Sequence, residues 1–345
     1  MSPRPEDAPR ATAGPPHALR TVAGLLPVSG VRGPVLPHEH LALDLRRHGG
    51  RDAVLDDRHT GLISAELSAL RELFGLALVV DQTCRGMGRD ADALRRISAA
   101  TGVAVVASTG WYYGPFLPPE VQHARVDDLV GALVRDVEEG IGPARVRPGF
   151  TRVRPGLIGE VGSSGDRPGA LERKTLTAAA RAAVLTGLPV ATHARLGRGG
   201  PAQLALLTAQ GLAPDRIAIG HQDLLDAPAV HRRLAREGAY VAFDTIGKDS
   251  YQSDTVRLRL LLALLDAGHA DRVLLSCDVS RHAYLSGHGG TGYGHLFRTF
   301  LPMARAAGIG DDLLDLMTRR NPLRFLTGTA PPNRPAGPPN PRATA

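Results

Sequence analysis

The chain has 345 residues, 43% of them hydrophobic, and a formal net charge of +7, which is ample for a sizeable core as one α/β barrel or two ordinary domains. The charge comes almost wholly from arginine spread along the chain, since Lys174 and Lys248 are the only lysines, and this argues against a nucleic-acid surface. Two cysteines, Cys84 and Cys277, are too few for a disulfide framework or a Cys-rich zinc cluster, and no run of about 18 apolar residues is present to cross a bilayer.

Residues 1–17 are rich in Pro, Ala and Arg and cannot bury enough apolar surface to order themselves, so they read as a disordered tail. They also lack the apolar core of a signal peptide, and a cytoplasmic protein is expected. From 18 to 328 no composition break suggests a linker, and "TAPPNRPAGPPNPRATA" at 329–345 reads as a second tail.

The first strand, "GPVLPHEH", ends in His38, Glu39 and His40. Side chains alternate in an extended strand, so the two imidazoles share one face and Glu39 takes the other, for packing or hydrogen bonding. The pair could grip a metal ion or be an ordinary pair on a loop. The strands "LALVVDQT" and "VAVVASTG" follow, separated by the helical stretch "DADALRRISAATG". Trp111, Tyr112 and Tyr113 come next, in a chain that is only 4% aromatic; they wall a pocket or pack against their own loop.

After the helical "RVDDLVGALVRDVEEG", the fourth strand, "GLIGEVG", carries Glu160. The helix "LERKTLTAAARAAVLTG" leads to "LPVATHA" with His193, and "PAQLALLTAQG" leads to "IAIGHQD" with His221 and Asp223. Asp223 is expected to cap the next helix, with orientation of a ligand as the alternative. The Arg-rich "APAVHRRLAREG" reads as a solvated helix face before "AYVAFDT". "TVRLRLLLALLDAGHA" precedes the last strand, "RVLLSCD", where Asp278 ends the run and Cys277 should face the helices. His282, His288 and His295 fall on the last loop and its helix, where no metal is expected.

Several helical stretches end in Gly, as helices often do. Strand–helix alternation with near-continuous apolar strands predicts a parallel sheet covered by helices. Eight such strands predict a closed (β/α)8 TIM barrel, whose chemistry collects at the C-terminal ends of the strands. A doubly wound sheet is the alternative, but no G-x-G-x-x-G follows the first strand. In the barrel, His38, His40, Glu160, His193, His221 and Asp278 converge at one mouth. Each alone could be a separately satisfied polar residue. Six buried together without a cation would carry a heavy desolvation cost. Two divalent ions remove it, and N and O donors suit Zn2+, with Mn2+, Co2+ or Ni2+ as alternatives.

These motifs resemble the amidohydrolase superfamily and, within it, the phosphotriesterase family, from about residue 20 to 328. "PHEHL", "ASTGWYYGPFLP", "TH" at 192–193 and "GHQD" at 220–223 are similar to the family's signatures at strands 1, 3, 5 and 6. "FDTIGKDSYQSD", "LLSCDVSRHAYL", "GGTGYGHL" and "RTFLPMARAAGI" resemble more closely its phosphotriesterase homology protein branch. The resemblance implies that His38, His40 and Asp278 hold the more buried ion and that His193 and His221 hold the more exposed one. It also allows a homodimer. The family's phosphotriesterases and lactonases bridge the ions with a carboxylated lysine on strand 4, where this chain has Gly159 followed by Glu160. The related branch uses glutamate, so Glu160 is the expected bridge. Neither Lys174 nor Lys248 is placed to substitute.

The expected activity is hydrolysis of a small carboxylic ester or lactone by a metal-activated hydroxide, with Asp278 taking and passing on the proton. A phosphotriester or amide is the alternative, and a catalytically silent binding protein the reading from another class. Lys248, Arg281 and Tyr284, on the loops after strands 7 and 8, are expected to bind an anionic group of the substrate, with Tyr112 on the wall. A related branch, the phosphorylated sugar-lactone hydrolases, has a similar lysine and Arg-x-x-Tyr pair. The alternative is a loop salt bridge to Asp249 or Asp254.

Overall fold

Eight apolar runs become eight parallel strands in a computed structural model that describes residues 18–142 and 152–331. They are β1 (Val35–Glu39), β2 (Leu78–Asp81), β3 (Ala104–Thr109), β4 (Leu157–Ser163), β5 (Val190–Ala194), β6 (Ile217–Ile219), β7 (Tyr240–Phe243) and β8 (Val273–Leu275). Each pairs with the next in chain order from β1 to β8. The ring is drawn together between its first and last strands, where Asp278 N donates to the His38 carbonyl and His38 N to Ser276 Oγ, each at 3.2 Å. The expected (β/α)8 barrel is therefore what forms.

The strands sort their side chains by the period of two. Val35, Leu78, Val80, Val106, Leu157, Ala191, Ala218, Tyr240, Ala242 and Leu274 form one apolar cluster, while their neighbours Leu36, Val79, Val105, Ile158, Val190, Ile219, Val241 and Leu275 join another, larger one with the helices. The first set fills the barrel and the second glues helices to its outside. Burying one Leu or Val in either set is worth roughly 1.5–3 kcal/mol. Leu19 and Val28, from and beside the hairpin Ala18–Thr21/Gly24–Pro27, join the inner cluster together with Leu323, Phe325 and Leu326 of the helix Asn321–Thr327.

The expected helical stretches form helices, and others appear that have no counterpart among them, the longest being Thr60–Phe74 between β1 and β2. Ala91–Thr101 starts on Asp90, whose side chain accepts from the backbone of Asp92 and Ala93, and ends at a left-handed Gly102. No described helix is long and apolar enough to cross a membrane. The expected tail 1–17 lies outside the described residues, as does most of the tail 329–345.

Candidate metal centre

All six expected ligands are buried, none more than 8% exposed; five stand at or just past the C-terminal ends of strands, and Glu160 in the middle of β4. Two reach the barrel axis because strand pairing is locally irregular. The β1–β2 ladder shifts between Leu36 and Glu39, and the β4–β5 ladder shifts between Ile158 and Val161. The first shift brackets His38 and the second Glu160, and such irregularities re-aim side chains near active sites. His221 and Asp278 have left-handed backbones, with φ of 56° and 49°. For non-glycine residues that costs of order 1–3 kcal/mol and is concentrated at functional sites.

The Glu160 carboxylate stands between two groups of imidazoles. Its Oε1 is 2.7 Å from His193 Nδ1 and 3.0 Å from His221 Nε2; Oε2 is 3.8 Å from His40 Nε2. His38 Nε2 lies 3.7 Å from Glu160 Oε1 and 4.0 Å from Asp278 Oδ1, while His40 Nε2 is 3.3 Å from Asp278 Oδ1. Donor atoms around a common ion at about 2.0–2.2 Å stand roughly 3–3.6 Å apart. The spacings of 3.3–4.0 Å are thus near ligand spacings, and most are long for hydrogen bonds. His38, His40 and Glu160 form one group able to hold an ion, and Glu160, His193 and His221 form another.

Outer hydrogen bonds set the rings. Asp244 accepts from His38 Nδ1 through Oδ2 (2.7 Å) and from His221 Nδ1 through Oδ1 (2.9 Å), leaving Nε2 of each ring to face the centre. His40 Nδ1 meets Thr83 Oγ1 at 2.9 Å, and the Tyr112 hydroxyl meets His193 Nδ1 at 3.2 Å. Gln203 Nε2 donates to the His193 carbonyl at 2.8 Å. Sequence reasoning did not name Asp244, although it ends "AYVAFD" as Asp278 ends "RVLLSCD". The position was visible, but not the link it makes between the two groups.

Whether these residues suit cations follows from their charges. Buried Glu160, Asp244 and Asp278 face Lys248 as the one ammonium, which leaves two negative charges to balance. Burial would raise the Glu160 carboxyl, but the imidazoles of His193 and His38 hold it well below the usual carboxylate range. Burial would lower His221, yet Asp244 and Glu160 lift it to about 10. His38 is raised well above its ordinary value against the same penalty, by Asp244 and Glu160. Divalent ions among these rings would supply the positive charge that the carboxylates call for. In addition, the buried Nε2 of His38, 3.7 Å from Glu160 Oε1, has no hydrogen-bond partner. The donor set fits two divalent ions.

Above the centre opens a cavity of about 580 Å³, lined among others by Tyr112, Tyr113, Arg195, Lys248, Arg281 and Tyr284. Lys248 Nζ pairs with Asp278 Oδ2, not with Asp249 or Asp254, and sits 5.1 Å over the Tyr284 ring. Arg281 Nη1 donates to the Gly49 carbonyl at 2.7 Å and to Asp52 Oδ1 at 2.6 Å. Tyr113 stacks on His193 with centroids 4.3 Å apart, whereas Trp111 is buried beneath Arg85. Lys174 is spent elsewhere, donating to the carbonyls of Val121, Gln122 and Ala124.

Glu39 points away from the centre, as alternation requires. It accepts from Ser276 Oγ, Cys277 N and Val279 N, all at 2.8 Å, while burial pushes its carboxyl to about 7. Cys277 packs outside the barrel in the larger apolar cluster. Asp223 does not cap the helix Pro228–Arg236, whose N-cap Ala227 receives no side-chain bond. It accepts from Thr245 Oγ1 (2.5 Å), Asp244 N (3.3 Å) and Arg257 Nε (2.7 Å), because a buried Arg257 needs its charge matched there.

The family model described as Phosphotriesterase family matches residues 17–326. The Phosphotriesterase homology protein of Escherichia coli K12 is 38% identical over 295 residues, 85% of this chain and 98% of the relative. Its crystal structure, complexed with phosphate in the active site, superposes with a TM-score of 0.81 over 86% of this chain and 99% of that one. A mutant of an organophosphorus hydrolase from Deinococcus radiodurans is 31% identical, with a TM-score of 0.78 over 92% and 99% of the two chains. A lactonase from Listeria monocytogenes is 25% identical, with a TM-score of 0.80 over 90% and 98%.

Proposed function

Because the chain belongs to the phosphotriesterase family of hydrolases, we propose that it hydrolyses a small carboxylic ester or lactone that carries an anionic group. The observation that carries this reading is the cavity wall: Lys248, Arg281 and Arg195 stand on it above four imidazoles and two carboxylates. Cations suit a carboxylate or phosphate on the substrate better than they suit a neutral phosphotriester. The phosphate in the active site of the E. coli relative and the lactonase among the structural neighbours support it.

His38, His40, Glu160 and Asp278 would hold one ion, and Glu160, His193 and His221 the other, with zinc as our choice. Two divalent ions held there supply Lewis acidity towards a water and towards a substrate oxygen. The rest falls to the chain's own groups. Asp278 accepts the proton of the attacking water as the oxygen–carbon bond forms, and returns it to the alkoxide that leaves when the ester C–O bond breaks. Burial would raise its carboxyl, but the Lys248 ammonium beside it holds it well below the usual range, so it stands ionised before the water attacks. Tyr112 and Tyr113 close one side over His193 and limit entry of water. Buried, unpaired Cys84 and Cys277 are consistent with a cytoplasmic setting.

The test is a panel on metal-loaded protein: neutral and anionic lactones of equal size, an aryl ester, a neutral phosphotriester and an N-acyl amide. The anionic lactone should lead the neutral one by at least about tenfold in kcat/KM, the scale of one charge-assisted hydrogen bond. Arg281→Met should erase that preference while neutral turnover continues. A lead for the phosphotriester, as the name of the Deinococcus neighbour suggests, would move the reading to that bond. Metal-loaded protein with no turnover on any substrate would make it a silent binding module.

A further inference from the structure

Three imidazoles that the hydrolytic centre does not use meet at another place. His59 immediately precedes the helix Thr60–Phe74, and His282 and His288 lie on the loop after β8. One nitrogen of each lies within 4.8 Å of the other two. The ring centroids are 5.3 Å apart for His59–His282, 5.8 Å for His59–His288 and 5.5 Å for His282–His288. His59 is buried, His282 half-buried and His288 exposed, so the group has a built floor and an open approach.

The outer contacts of two of these rings leave Nε2 able to act as a ligand. His288 Nδ1 lies 2.9 Å from the His282 carbonyl. A carbonyl can only accept, so the proton is on Nδ1 and Nε2 is left as a ligand. His59 Nδ1 meets Asp56 in two ways: its carboxylate at 3.0 Å and its backbone N at 3.1 Å. Donating to the carboxylate frees Nε2 of His59, and a cation at Nε2 selects that arrangement, the carboxylate–histidine pairing that orients metal-bound imidazoles. Arg58 grips Asp56 through Nε and Nη2 and fixes it in place.

The two segments are also already joined. His282 N donates to the Asp52 carbonyl at 3.1 Å, and Arg281 pairs with Asp52 at 2.6 Å. Little ordering remains to be done when an ion arrives, which favours binding. We propose that His59, His282 and His288 form a third metal site, separate from the hydrolytic pair, that takes a borderline transition-metal ion such as Zn2+ and ties the loop after β8 to the segment before the first long helix. Three neutral imidazoles with an open fourth position suit Zn2+, Ni2+ or Cu2+ over Mg2+ or Ca2+.

The test uses the tag-free full chain already loaded with two ions, titrated with Zn2+, with bound metal counted after removal of free ion. Wild type should take up a third equivalent. His288→Ala and His282→Ala should each weaken that equivalent at least about 100-fold, more than loss of a supporting hydrogen bond costs, while keeping the first two ions and hydrolytic turnover. Because His288 is exposed, its truncation leaves the fold undisturbed, and bound metal is read independently of activity. Saturation of wild type at two equivalents, or a third retained with unchanged affinity in either variant, overturns the site.

Discussion

Replacing Asp244 with asparagine changes one oxygen into an amide nitrogen at the point where two metal-ligand groups share a support. The native carboxylate accepts from Nδ1 of His38 at 2.7 Å and Nδ1 of His221 at 2.9 Å. Asparagine offers one acceptor and one donor. Whichever imidazole faces the new NH2 must take its proton to Nε2, and a protonated Nε2 cannot ligate an ion. The remaining imidazole also loses a charged acceptor, which makes it a weaker base. Loss of an outer support of this kind costs about 10–100-fold in metal affinity, or about 1.4–2.8 kcal/mol. The structure adds a signature: His38 and His221 belong to different groups that have Glu160 in common, so affinity for both ions should fall. Competition with a chelator, followed by counting of retained metal, measures this directly. Asp244→Asn protein holding both ions within about threefold of wild type would refute the claim that this carboxylate sets the two tautomers.

Further outcomes follow from the same geometry. Glu160→Gln keeps shape but removes the charge shared by both groups, so metal content should drop and activity fall at least ~10–100-fold; retained metal with an unchanged rate places the bridge elsewhere. Lys248→Met removes the ammonium that depresses Asp278, so the carboxylate binds protons more readily and the acid limb of the kcat/KM–pH profile should move to higher pH. A limb that stays put or moves lower would contradict the role given to that pair. His231 is buried against Phe243, and burial lowers it from 6.5 to about 4. The unfolded chain binds this proton more readily, so stability is full above about 6.5 and declines by about 3 kcal/mol as pH falls through 4. Denaturant melts of wild type and His231→Leu across that window should show a flatter acid slope in the variant, and parallel slopes would remove His231 from the explanation.

Much of this protein is legible in the order of its residues. Eight short apolar runs separated by helical stretches determine a parallel barrel, because a strand apolar on both faces must be covered on both. That each of β1, β4, β5, β6 and β8 finishes at or near His, Glu or Asp then determines which end carries chemistry, since those residues are costly to bury apart from a cation. Even the opposite orientation of Glu39 between His38 and His40 follows from the period of two. The tertiary structure decided what depends on distance across the barrel. Asp244 belongs to the site because closure brings the end of β7 between rings from β1 and β6, and no local period reports that. Asp223 holds a buried Arg257 instead of capping a helix, because the charge it must match arrives from 34 residues away. His59 meets His282 and His288 across more than 220 residues of chain for the same reason: residue type and local period are written in the sequence, but which loops become neighbours is settled only when the first and last strands come together.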